Sequence, residues 1–152
     1  MSKKDFYRQL NSQVAAIIAG EPDEIANMAN MSAILFEALD DVNWAGFYRV
    51  VNNGLILGPF HGKVACIRIP MGKGVCGTAA MENKTQRIAD VHQFSGHIAC
   101  DAQSNAEIVI PVRKNNQVIA VLDIDSRVFN RFDNEDQLGL ESIVRLLESE
   151  IN

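Results

Sequence analysis

The chain has 152 residues, 47% of them hydrophobic and 22% charged, with 14 Lys+Arg against 19 Asp+Glu. That fits one ordinary globular domain spanning 1–152, able to bury roughly two-thirds of its unfolded surface and needing no metal or disulfide to hold a core. A net charge of −5 with scattered basic residues argues against nucleic acid as a partner, and no stretch approaches the roughly 18 apolar residues that would span a membrane.

Met1-Ser2-Lys3-Lys4-Asp5-Phe6 carries two lysines but no apolar run after them, so no signal peptide is expected and the chain is expected in the cytoplasm. Phe6, Leu10, Val14, Ile17 and Ile18 recur at helical spacing, with Gly20 as the stop. Pro22 is expected to open a second helix, with Asp23 and Glu24 at the positive end of its dipole and Ile25, Met28, Met31, Ile34, Leu35 and Leu39 on its apolar face. The period then changes. Ala45 to Val51, a turn at Asn53-Gly54, and Leu55 to Leu57 read as a hairpin, and Val64 to Ile69 as a third strand ended by Pro70. Gly72 to Ala80 reads as a glycine-rich turn entering a short helix, Gln86 to Ala89 as a fourth strand, and 90–105 as a polar loop. Ile108 to Val112 and Val118 to Ile124 form two more strands around Asn115-Asn116. Asp133 caps a terminal helix through Leu138, Leu140, Ile143, Val144, Leu146 and Leu147, with Asp136 three residues on. Runs of strands flanked by helices predict an α+β domain: a mostly antiparallel six-stranded sheet, helices on one face, and loops 70–82 and 90–105 covering a pocket on the other.

Strand alternation sets Asp123 and Asp125 on the face opposite Val118, Ala120, Leu122 and Ile124, roughly 6–7 Å apart. A solvated strand end is the plain explanation, yet Asp is depleted in strands and two on one face repel, which points to a ligand with a cation or a proton to share. A strict two-residue turn at 115–116 places Glu107 opposite Ile124, on the wrong face; a bulged three-residue turn brings it beside the aspartates, and periodicity leaves the choice open. Trp44, Gly46 and Tyr48 share one strand face, either as core packing or as the wall of a pocket, each ring with one polar handle.

The cysteines are Cys66, Cys76 and Cys100, an odd number with no Cys-x-x-Cys pair. Cys66 is expected off the core face of its strand, Cys76 at a helix start where a thiol can ionise more easily, and Cys100 in the long loop. Each could be a buried small hydrophobe. His92, His97 and Cys100 offer too few ligands for structural zinc. A Cys100–His97 hydrolase lacks a third orienting group. No metal is expected.

Asn43-Trp44-Ala45-Gly46-Phe47-Tyr48, Leu57-Gly58-Pro59-Phe60, Gly74-Val75-Cys76-Gly77, His97-Ile98-Ala99-Cys100-Asp101 running on to Ser104-Asn105-Ala106-Glu107, and Leu122-Asp123-Ile124-Asp125-Ser126 together resemble free methionine-(R)-sulfoxide reductase, a stand-alone GAF domain. The resemblance covers nearly the whole chain. It implies Cys100 as nucleophile, Cys66 as resolving thiol, and Cys76 in an auxiliary or alternative resolving role. It further implies Glu107, Asp123 and Asp125 as substrate-binding carboxylates, Trp44 and Tyr48 as the aromatic wall, and the register that gathers Glu107 to the aspartates. The implied substrate is free methionine sulfoxide and the implied reductant thioredoxin, with no cofactor; a homodimer is compatible with it. Crowded carboxylates cannot all ionise cheaply, so one is expected to keep a proton for the sulfoxide oxygen. Asp101 and Glu107 would disfavour a thiolate at Cys100, a tension that backbone N–H groups and the substrate ammonium would relieve. A GAF small-molecule sensor without activity is the alternative.

Overall fold

The computed structural model describes residues 1–96 and 103–151. Three long helices carry their own caps. In α1 (Lys3–Ile18) the Ser2 hydroxyl accepts from the Asp5 amide; in α2 (Glu24–Ala38) the Asp23 carboxylate accepts from Ala26. Pro22 therefore lies one residue before the cap rather than opening the helix. The last helix of the chain, α4 (Asn134–Glu150), starts with a reciprocal capping box in which Asp133 and Asp136 each accept the other's amide, as their spacing predicts. The buried stripe of α1 runs through Tyr7, Leu10, Val14 and Ile18, while Ile17 is exposed. Ile25 of α2 and Leu138 of α4 also face outward.

The sheet is six-stranded and antiparallel throughout, built from β1 (Val42–Val51), β2 (Gly54–Gly62), β3 (Arg68–Pro70), β4 (Gln86–Ile88), β5 (Ala106–Lys114) and β6 (Gln117–Ser126), in spatial order β3-β2-β1-β6-β5-β4. The hairpin β1–β2 turns at Asn52 and Asn53, both at positive φ, and Gly54 already pairs with Val51, so the turn sits one residue earlier than Asn53-Gly54 suggests. Asn115 and Asn116, at φ 52° and 64°, make the equivalent turn between β5 and β6. The predicted strand Val64 to Ile69 shortens to Arg68–Pro70, leaving 63–67 irregular.

The two sheet faces carry separate apolar clusters. Ala45, Phe47, Ile108, Ile110, Leu122 and Ile124 face α1, α2 and α4. Trp44, Tyr48, Val109 and Val121 face the other way, against Val75, Cys76, Ala79 and Ala80 of the short helix α3 (Gly74–Glu82). The layering matches the expected α+β arrangement, with loops and α3 over the pocket face. Gly46 marks a close approach between β1 and β2. A Cβ there would stand 2.2 Å from Phe60 Cβ, so only glycine leaves room for the Phe60 ring to stack on Trp44 at 5.1 Å between centroids.

Candidate functional site

The pocket is built where β1, β6 and β5 run side by side under α3. Its lining includes Trp44, Tyr48, Lys73, Gly74, Val75, Cys76, Ser104, Glu107, Asp123 and Asp125. A second, wider groove between α1 and the start of α4 is lined by Tyr7, Asn11, Leu138 and their neighbours; it contains no thiol and no gathered carboxylates. The thiol and the gathered carboxylates line the first.

Register decides which side chains meet. Glu107 pairs with Asp125 and Val109 with Asp123, while on the other side of β6 Trp44 pairs with Asp125 and Gly46 with Asp123. Glu107 thus joins the aspartates, and the device is neither of the two turns weighed from the sequence. The turn has two residues, with Lys114 opposite Gln117, and the shift comes afterwards, where Arg113 faces Val118 but Val112 faces Ala120. Ile119 is the extra residue, a one-residue bulge that turns every later position of β6 by one. Val118 consequently packs with the pocket cluster, whereas Ile119 and Ala120 pack with the helix-side core.

Glu107 and Asp123 are buried, and with Cys76 they place one donor atom each within 4.8 Å of one another. The Cys76 sulfur lies 4.0 Å from a Glu107 carboxylate oxygen. Burial, then the charges of Asp123 and Asp125, push the Glu107 carboxyl well above its ordinary range. Burial first, then Asp123, Glu107 and Asp125, push the Cys76 thiol up as well. Among the described residues these three are the donors that could face a cation. Glu107 and Cys76 are both pushed toward their protonated forms by burial and by their acidic neighbours.

The aromatic wall is tied to the loop that carries Cys66. The Trp44 indole N–H donates to the Lys63 carbonyl at 3.0 Å and the Tyr48 hydroxyl donates to the Cys66 carbonyl at 2.9 Å. Burial and the nearby carboxylates raise the Tyr48 hydroxyl far above its ordinary value, so it stays a donor. Both polar handles are therefore spent on positioning the 63–66 backbone. Cys66 is disulfide-bonded, half-buried and packed against the pocket cluster, while Cys76 is a free, buried thiol. Cys66 lies in an irregular segment rather than on the expected strand. The alternation of 64–69 imitated one, but the segment is held by side-chain donors from β1. His97, Cys100 and Asp101 lie outside the described residues. His92 bonds Asp90 on the surface, 2.8 Å away.

Val64, Ala65, Ile69, Lys73, Gly74, Val75 and Ser104 also line the pocket, beyond the site residues expected from the sequence. Ser104 is buried and accepts from the Asn43 side chain at 3.0 Å. Gly74 and Val75 begin α3, whose N-cap, Lys73, makes no side-chain cap bond, and this positive end of the helix lies in the pocket lining. The Gly72-Lys73-Gly74 turn was the available signal for this end of the pocket.

Residues 8–151 match the GAF domain model. Free methionine-R-sulfoxide reductase of Escherichia coli K12 is 57% identical over 148 residues, spanning 97% of this chain and 90% of its own. The chain belongs to the free methionine-R-sulfoxide reductases. Among solved structures, fRMsr of Staphylococcus aureus in its reduced form superposes with a TM-score of 0.94 at 53% identity, covering 96% of this chain and 95% of that one. Free methionine-R-sulfoxide reductase of Neisseria meningitidis, solved in complex with its substrate, superposes at 0.95 with 40% identity, covering 99% and 90%. These reductases share the whole fold with this chain, sheet and helices alike, rather than a local motif.

Proposed function

We propose that this chain reduces free L-methionine (R)-S-oxide to L-methionine by thiol chemistry, and that thioredoxin returns it to the reduced state in the cytoplasm. The observation that carries the reading is the carboxyl cluster itself. Glu107 stands beside Asp123 and Asp125 at the base of the pocket, where burial and those two charges push its carboxyl toward the protonated form.

In this reading the Cys100 thiolate attacks the sulfoxide sulfur. Glu107 gives its proton to the sulfoxide oxygen, whose developing negative charge would otherwise be buried. Oxygen passes to Cys100 as a sulfenic acid and methionine leaves. The Cys66 thiolate then attacks the Cys100 sulfur, a sulfur–sulfur bond forms, and the oxygen departs as water. Two thiols have been oxidised and one sulfoxide reduced. Support for pairing Cys66 with Cys100 comes from Cys66 being disulfide-bonded while Cys76 is free. The raised Cys76 thiol argues against Cys76 as the resolving group, since the thiolate is the nucleophile.

The substrate's main-chain charges find complementary groups around the same pocket. An ionised carboxylate of the cluster can hold the α-ammonium by a charge-assisted hydrogen bond, and the open start of α3 can hold the α-carboxylate. Peptide-bound methionine sulfoxide has neither charge, so the reading restricts the substrate to the free amino acid. Relatives named for this activity span almost the whole chain.

The test is a thiol count before and after adding free methionine sulfoxide to the reduced protein. Loss of two thiols of the three, and no methionine release from Cys100→Ser, supports the reading. A GAF sensor would keep all three thiols, and substantial activity in Cys100→Ser would remove Cys100 from its role.

A further inference from the structure

In a chain of net charge −5, residues 61–73 contain Lys63, Arg68 and Lys73 and no Asp or Glu. Within that segment Val64 and Ile67, on either side of Cys66, are 88% and 66% exposed. This exposure is built in. The backbone of 63–67 is pinned from the sheet by Trp44 to the Lys63 carbonyl, by Tyr48 to the Cys66 carbonyl, and by the Leu57 amide to the Ile67 carbonyl at 2.8 Å. With its carbonyls drawn inward at these points, the segment holds two apolar side chains out in solvent, bracketing a disulfide-bonded, half-buried sulfur. A lone exposed apolar residue needs no explanation, but two flanking a redox-active cysteine within a basic rim do.

We propose that Val64 and Ile67, rimmed by Lys63 and Arg68, form the docking surface for the protein dithiol that reduces the Cys66 disulfide. The fitting partner presents an apolar face around its reactive thiol, with acidic residues at the edge. The inference rests on the dithiol reading above and adds where the reductant lands and which sulfur it attacks. A partner thiolate attacks Cys66 Sγ, a mixed disulfide forms, and the bond to Cys100 breaks with its electron pair leaving on the Cys100 sulfur, which takes up a proton. The partner's second thiol then attacks the partner's own sulfur in the mixed disulfide, releasing Cys66 as a thiolate that takes up the second proton. Two electrons and two protons pass from the dithiol to this chain, and the partner ends as a disulfide. Three cations are too few for stable phosphate-backbone binding but suffice to steer one acidic-rimmed protein.

The experiment compares two reductants, thioredoxin (with its NADPH-dependent reductase) and dithiothreitol, on wild type, Ile67→Glu, and Lys63→Glu/Arg68→Glu. All three substituted positions are exposed and lie outside the pocket lining. Both variants are expected to lose about tenfold or more in kcat/KM for thioredoxin, a change that corresponds to the weakening of one good contact. Their dithiothreitol-driven turnover should stay within about twofold of wild type, and the charge-reversal variant should lose the wild type's dependence on salt. Unchanged kcat/KM for thioredoxin in both variants would overturn the docking surface. An equal loss with both reductants would overturn it too, by showing a purely structural effect. If wild type itself loses no thiols to methionine sulfoxide, the dithiol reading falls and the docking surface with it.

Discussion

The Tyr48 hydroxyl donates to the backbone carbonyl of Cys66 at 2.9 Å, so the aromatic wall of the pocket also sets the position of the proposed resolving cysteine. Tyr48→Phe keeps the ring, which is 6.0 Å from Trp44 between centroids, and removes the bond alone. The variant should lose about 1–2 kcal/mol of stability, because a part-buried carbonyl loses its partner. The second thiol should also disappear more slowly than methionine is released. Urea denaturation and time-resolved thiol titration measure the two effects separately. Simultaneous thiol loss at the wild-type rate would show that the bond does not position Cys66.

Glu107→Gln retains the shape and a hydrogen-bond donor but has no proton to transfer. Removing a general acid should lower kcat by about 10²- to 10⁴-fold. The pH profile is the sharper readout. Wild-type turnover should fall as pH rises through the raised value of Glu107, and the variant should lack that limb. Stability follows the same sign. A carboxyl raised in the folded state contributes stability that is present below its ordinary value of 4.5 and is lost as pH rises through the folded value. Glu107→Gln should therefore hold its stability better than wild type in the alkaline direction, which denaturation at several pH values would show.

The cysteines are separable. Cys66→Ser should complete about one turnover and then fail to cycle with thioredoxin, whereas Cys76→Ser should continue to cycle. Its buried thiol, pushed up by burial and the nearby carboxylates, is a poor nucleophile in this account. Multiple-turnover assays of the two variants decide it. Cycling by Cys66→Ser would transfer the resolving role to Cys76.

Much of this was legible in the sequence, and what was not has identifiable causes. The Asp133 cap of the last helix, both asparagine turns to within a residue, and the shared faces of Trp44 with Tyr48 and of Asp123 with Asp125 follow from local chemistry that the chain states directly. The place of Glu107 does not. It depends on a one-residue bulge at Ile119, twelve residues away, and Ile119 is an ordinary β-branched residue with nothing to distinguish it from its neighbours. The loop around Cys66 misleads for a related reason. Val64 to Ile69 alternates well enough to be a strand, but donors from Trp44 and Tyr48 capture its carbonyls first, and such long-range competition leaves no trace in a local window. The carboxyl cluster could be suspected from two aspartates on one strand face. The upward push on the Glu107 carboxyl needed its burial to be seen.

The other end of the molecule offers a stability test that should leave the chemistry untouched. Asp133 caps α4 through the Asp136 amide and also meets Lys3 at 2.9 Å. The amide bond first, then Lys3, hold its carboxyl down at about 2. A lowered carboxylate contributes stability above its ordinary value of 3.8, lost as pH falls through about 2. Asp133→Ala should cost about 0.5–2 kcal/mol at neutral pH from the lost cap and flatten the acid limb over that window. Turnover should stay at the wild-type rate, since α4 packs on the sheet face away from the pocket. Acid denaturation followed by circular dichroism checks the first expectation and a standard assay the second.

The central claim is a two-thiol reduction of one epimer of a free amino acid, and a single-turnover assay tests it most directly. The reduced protein, without thioredoxin, is mixed with the separate R and S epimers of free methionine sulfoxide. The account predicts about one equivalent of methionine per chain from the R epimer, none from S, and the loss of two thiols. No methionine from either epimer, with all three thiols intact, would contradict it.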